Sequence, residues 1–206
     1  VLSETYFVLG GTANFLLGPD ETLAGGIDET ARIFEKDTIN YWRTYTRRLA
    51  VPLEWQDVVI RAAITLKLSL YEDTGAIIAA MTTSIPEAPG SSRNWDYRYC
   101  WLRDAFFVVR ALNSLSEVGT MEEYLRWLTN IVARSKGGHI QPLYGIGLEE
   151  QLPESMLDHL PGYRGNGPVR VGNQAQEHFQ HDVYGNIVLG AAQAFLDHRL
   201  FHRAGK

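Results

Sequence analysis

Apolar residues recur at helical spacing over most of this chain and alternate strictly over one short stretch. Asp28 offers an N-cap to a helix reaching about Leu49, with Phe34, Trp42, Tyr45 and Leu49 in register. Pro52 separates it from a helix over 54–72 that carries Trp55, Val58, Val59, Ala62, Ala63, Leu66 and Leu70 on one side. Ile60, Ile64 and Leu68 fall on other sides of the same helix, which predicts burial on both faces. Ala105, Val108, Val109, Leu112 and Leu115 predict a helix over 103–117, broken by Gly119. Thr120 then caps a helix over 121–135, with Met121, Tyr124, Leu125, Leu128, Ile131 and Val132. A last helix over 182–200 carries Tyr184, Ile187, Val188, Ala191 and Phe195. Residues 1–27 read as β, from Tyr6–Leu9 and Phe15–Leu17 between Gly and Pro turns, and Gly75–Met81 is a further short β run. Residues 136–180 have no period and many Gly and Pro; long ordered loops of this kind are usually functional.

The alternating stretch is Asn94 to Trp101. In an extended chain Trp95, Tyr97, Tyr99 and Trp101 share one face, and Asn94, Asp96, Arg98 and Cys100 the other. Arg103–Asp104 follows where the pattern turns helical. Aromatic walls beside charged hydrogen-bonding groups suit a polyhydroxylated ligand: sugar C–H faces stack on rings, and hydroxyls take charge-assisted bonds. A buried aromatic strand with a structural ion pair fits the same letters.

Composition narrows the partners. The chain has 206 residues, 45% of them hydrophobic, which is ample for one sizeable core. With 19 basic and 24 acidic residues, a formal charge of −5 and no basic run, nucleic acid and anionic membranes are poor partners. No apolar run approaches the roughly 18–20 residues of a membrane span. The start at Val1 carries no signal-peptide pattern and no Met, so a processed or truncated chain and a cytoplasmic location are expected. The one cysteine, Cys100, allows no intrachain disulfide; it reads as a packed residue in the aromatic strand rather than a nucleophile. His178/His181 and His198/His202 have helical spacing, but without a third ligand they read as surface or capping residues, so neither metal nor cofactor is expected.

Arg93–Ala105, RNWDYRYCWLRDA, resembles the hallmark of glycoside hydrolase family 15, which includes glucoamylases, glucodextranases and bacterial trehalases. Val59–Ala63 and the chain following it, Leu160–Gly165, Gly167–Asn173 and Phe179–Gly185 are similar to further family segments in the same order, so the likeness covers nearly the whole chain. It implies a mainly α chain: part of an (α/α)6 barrel preceded by the end of a β-sandwich domain and a linker helix. The corresponding division is 1–27 for the sandwich remnant, 28–52 for the linker and 53–206 for the N-terminal portion of the barrel. Such a partial barrel leaves helix faces open to a companion chain or to homo-oligomerisation.

The resemblance also implies an inverting α-glycosidase acting on an α-glucan oligosaccharide or on trehalose. Inversion takes two carboxyl groups about 6.5–9.5 Å apart. The family's acid and base are glutamates in later motifs, and neither motif occurs here, so no catalytic residue is expected in this chain. Glu149, Glu150 and Glu154 read as a solvated loop, and Asp182 as an N-cap. By resemblance Arg103 and Asp104 bind hydroxyls of the terminal glucose, Trp101 shapes that pocket, and Tyr97 lies near the reacting centre. Tyr163 and Arg164 form a candidate rim, and Arg170 is a similar candidate. His181 and Asn186 depart from the family pattern, which has an apolar residue and a glutamate there, so the last helix gains no role. A non-catalytic carbohydrate-binding or interaction fragment remains the alternative.

Overall fold

The computed structural model describes residues 6, 8–19, 22–135 and 137–201. They divide after Arg48 into two compact units. The first contains α1, Ile27–Arg47. Gly26, not Asp28, occupies the N-cap position. Asp28 lies in the first turn beside Glu29, where carboxylates complement the helix dipole, and accepts a hydrogen bond from Asn14 Nδ2 at 2.9 Å. The β expectation for 1–27 is not met: among the described residues before α1 there is no strand, and Tyr6, Val8, Phe15 and Leu17 are exposed. Two short apolar runs have β propensity, but a strand exists only when a partner satisfies its edge. Phe7 lies outside the described residues.

The second unit is mainly helical. Its elements are α2 (Gln56–Leu68), β1 (Leu70–Tyr71), β2 (Ala76–Ile77), β3 (Cys100–Trp101), α3 (Leu102–Ser114), α4 (Gly119–Arg134), β4 (Leu143–Tyr144), β5 (Ser155–Met156), β6 (Arg170–Val171), a 3₁₀ turn at Gln174–Glu177, α5 (Asp182–Leu196) and α6 (His198–Phe201). All three strand pairs are antiparallel: β1 with β2, β3 with β4, β5 with β6. Helices α3, α4 and α5 pack on one another around Val109, Tyr124, Trp127, Leu128, Ile131 and Val183. Gly190 of α5 faces the Phe106 and Tyr124 rings, where an added Cβ would lie in ordinary van der Waals contact at 3.8 Å. Trp127, fully buried, stacks on Tyr124 at 6.0 Å and meets Tyr144 edge-on at 6.2 Å.

Helix boundaries in this unit also differ from their sequence signals. The 54–72 helix stops at Leu68 because Gly75 allows the chain to turn back, so Leu70 pairs with Ile77 instead of continuing the helix. Its predicted double burial is not realised: Val58 and Leu68 are exposed, and the buried residues are Ala63 and Lys67. Lys67 is tolerated there through an ion pair to Glu72 at 3.2 Å and a contact to Thr120 Oγ1 at 3.5 Å. Helix α4 begins at Gly119, so Thr120 is inside it; Glu117 supplies the cap, accepting from the Thr120 N–H at 3.0 Å. Likewise Asp182 is the first helical residue of α5, with His181 at the cap position and no side-chain cap bond.

Gly75 has φ +85°, and a Cβ there would collide with the Glu123 carbonyl of α4. Gly75→Ala is expected to destabilise the chain by about 2 kcal/mol or more, combining left-handed strain with a backbone clash, as read from the urea unfolding midpoint.

Candidate functional site

The alternating segment is extended, and hydrogen bonds on both sides hold it so. Ala79 and Ala80 donate to the carbonyls of Tyr99 and Tyr97, both at 2.9 Å, and Ser84 donates to Trp95 at 2.8 Å. Across the other edge Cys100 pairs with Tyr144 and Trp101 with Leu143. The two faces divide opposite to the usual order. Asn94, Asp96 and Cys100 are buried completely, while the four aromatics are only half-buried. Asp96 is affordable inside because Arg98 folds back on it, with Nε and Nη2 donating at 2.9 and 2.8 Å. Arg98 is therefore not buried with its face. Cys100 is a packed free thiol, pushed up to about 12 by burial and then by the charge of Glu149.

Trp95, Tyr97 and Trp101 form one wall of a cavity of about 550 Å³, within the range of small-ligand sites. Arg103 and Asp104 join them from the first turn of α3. The remaining lining is Glu154, Arg170, Asn173, Gln174, Ala175, His178 and Gln180. Arg103 stacks over the Trp101 ring at 5.5 Å and lies 3.4 Å from Asp104 and 3.6 Å from Asp182. At 3.4 Å the Arg103–Asp104 pair is ionic but not aligned as a hydrogen bond: Asp104 Oδ2 has no hydrogen-bond partner, and neither has Trp101 Nε1. Both atoms are buried, on residues that line the cavity. The Tyr97 phenol is raised above the ordinary range, first by burial and then by the charges of Glu87 and Asp104, so it remains an O–H donor at neutral pH.

Of the remaining lining, Arg170 is a candidate from the sequence, whereas Glu154, Asn173 and His178 are not. Glu154, expected in a solvated loop, is mostly buried and bonded to Arg170 at 2.5 Å. Asn173 ties this wall to the aromatic one. Its Nδ2 donates to the Asp96 carbonyl at 3.0 Å, and its Oδ1 accepts from Ala175 at 3.0 Å, capping the 3₁₀ turn. His178 lines the cavity, whereas His181 packs edge-on against Phe179 at 4.9 Å. Tyr163 and Arg164 are not among the lining residues. They form an exposed turn closed by the Tyr163–Asn166 bridge, with the Arg164 guanidinium 5.3 Å from the Tyr163 ring. Among the described residues no cluster of His, Cys, Asp and Glu could hold a metal ion, and no helix is long and apolar enough to cross a membrane.

The family model described as glycosyl hydrolases family 15 matches residues 55–203, which contain the whole cavity. The chain belongs to this family. Among its relatives, it is 39% identical to a trehalase of Thermoplasma volcanium over 74% of this chain and 24% of that protein. It is 40% identical to a trehalase of Mycolicibacterium smegmatis over 65% of this chain and 20% of that one. With trehalase 1 of Sulfolobus acidocaldarius it shares 34% identity over 86% of this chain and 32% of that one. The family 15 match thus spans about a quarter of the length of these relatives. No solved structure matches significantly.

Two outcomes follow from the packing of this site. Asn173→Ala, which leaves the Asp96 carbonyl and the Ala175 N–H unpaired, is expected to lower stability by about 1–3 kcal/mol in urea titration. Cys100 is expected to resist thiol reagents in the native chain at pH 9 and to react once unfolded. Its folded value lies above the ordinary 9.0, so the unfolded chain loses its proton first, and this residue's contribution to stability falls as pH rises from 9.0 toward about 12.

Proposed function

We propose that this chain supplies part of the sugar-binding site of an inverting α-glycosidase of the trehalase–glucoamylase kind, with trehalose the preferred substrate and α-glucan oligosaccharides the alternative. The observation that carries the proposal is the joint lining of one cavity by Trp95, Tyr97 and Trp101 with Arg103 and Asp104. Rings and a guanidinium–carboxylate pair complement the two faces of a pyranose. In this proposal Arg103 and Asp104 hold hydroxyls of the terminal glucosyl unit, Trp101 bounds its ring, and the Tyr97 phenol faces the reacting carbon, where an O–H dipole steadies developing charge. The names of the relatives favour trehalose over other α-glucosides.

The same proposal places the general acid and base outside these residues. Of the cavity's two carboxylates, Glu154 is committed to Arg170 and Asp104 sits beside Arg103. Inversion requires one carboxyl to protonate the leaving oxygen and another to activate water on the opposite side. We further read the second unit as the N-terminal portion of an (α/α)6 barrel, with α1 as a linker helix before it. The exposed apolar side chains of α5, Val188, Leu189, Phe195 and Leu196, support this: such a face is covered by further helices, from a companion chain or a second copy. Tyr163 and Arg164 are then rim residues beyond the first sugar.

The test is glucose release from trehalose and from maltooligosaccharide in parallel, together with calorimetric binding of both sugars. The 206-residue chain is expected to bind weakly, near the millimolar range, to lose at least tenfold in affinity on Asp104→Ala or Arg103→Ala, and to release no glucose. Turnover by the chain alone would overturn the placement of acid and base. Absence of any sugar binding would overturn the site itself.

A further inference from the structure

Glu154 and Arg170 have more bonding capacity than the protein uses. Their side chains are 18% and 16% exposed, and they line the cavity from the β5–β6 hairpin, whereas Arg103 and Asp104 line it from α3. Arg170 is fixed at every point of its length. Its backbone N–H donates to Ser84 Oγ at 2.7 Å and its carbonyl accepts from Thr83 Oγ1 at 2.6 Å. Its Nε donates to Asn94 Oδ1 at 3.2 Å and its Nη1 to Glu154 Oε1 at 2.5 Å. Among the described residues neither Arg170 Nη2 nor Glu154 Oε2 makes a hydrogen bond. A mostly buried ion pair gains little over apolar packing, so stability alone does not account for one in a cavity wall.

Nη2 offers two donors and Oε2 an acceptor on one ion-paired unit, the complement of two neighbouring hydroxyls. Arg103 and Asp104 present the same combination from α3. The four charges sum to zero, which favours a neutral ligand over a sugar phosphate or acid. One pyranose ring fills only part of about 550 Å³. We propose that Glu154 and Arg170 are specificity-determining residues that bind the second glucosyl unit of a neutral α-linked disaccharide whose first unit lies on Arg103 and Asp104. The assignment rests on the cavity being the sugar site. Two like rings read by two like charge pairs is the pattern that trehalose, a symmetric disaccharide, would meet.

The test compares glucose with trehalose in binding to the 206-residue chain, followed by calorimetry and by the fluorescence of the cavity tryptophans. Glu154→Gln keeps shape and an acceptor for Arg170, and Arg170→Lys keeps charge but loses the fork. Both variants are expected to leave glucose affinity unchanged and to weaken trehalose about tenfold, erasing any preference of the parent chain for the disaccharide. Equal weakening of both sugars would place the pair at the first unit, and no change in either would make it purely structural; each overturns the assignment while leaving the sugar site standing. So would a parent chain that binds the two sugars equally. A parent chain that binds neither overturns the sugar site and this assignment together. If Arg170→Lys fails to reach the parent's circular dichroism and unfolding midpoint, Glu154→Gln decides.

Discussion

The cavity depends on the hydrogen bonds that hold residues 94–101 extended between 79–84 on one side and β4 on the other. An extended chain can point only alternate residues to one side. Once Cys100 pairs with Tyr144 inside the core, the register obliges Trp95, Tyr97, Tyr99 and Trp101 to point away from it. A slip of one residue would exchange the faces and place the rings in the core. Backbone pairing, not hydrophobicity, thus keeps large aromatic surface available to a ligand.

That arrangement costs desolvation of polar groups, which the surroundings offset by saturation. Asp96 is enclosed yet takes two bonds from Arg98 and one from the Arg98 backbone N–H. Asn173 satisfies its own amide by joining the two cavity walls. Of the buried polar atoms without a hydrogen-bond partner among the described residues, Asp104 Oδ2 and Trp101 Nε1 belong to residues lining the cavity, whereas others, such as Trp127 Nε1 and Gln193 Oε1, do not.

Membership of glycosyl hydrolases family 15 and the cavity's chemistry point the same way. In the proposed reading, the cavity's rings and guanidinium–carboxylate pairs hold a neutral hydroxylated molecule in a fixed orientation. Orientation is a large part of what a glycosidase contributes, because attack on the anomeric carbon has strict geometry.

Local patterns determined much of this protein. Helical periodicity placed α1, α3, α4 and α5 to within a few residues, and period-two alternation identified the extended aromatic segment and, through Arg103 and Asp104, one wall of the cavity. These signals survive because they arise from neighbours in sequence. Tertiary structure decided the rest. It cut α2 short, since Gly75 lets Leu70 find Ile77, and it left the β-like runs before α1 without strands. It brought Glu154, Arg170, Asn173 and His178 out of an aperiodic loop to face the aromatics, and left Tyr163 and Arg164 outside the lining. No spacing rule could foresee that wall, because its position is set by contacts with Thr83, Ser84, Asn94 and Asp96, some 75 or more residues away along the chain.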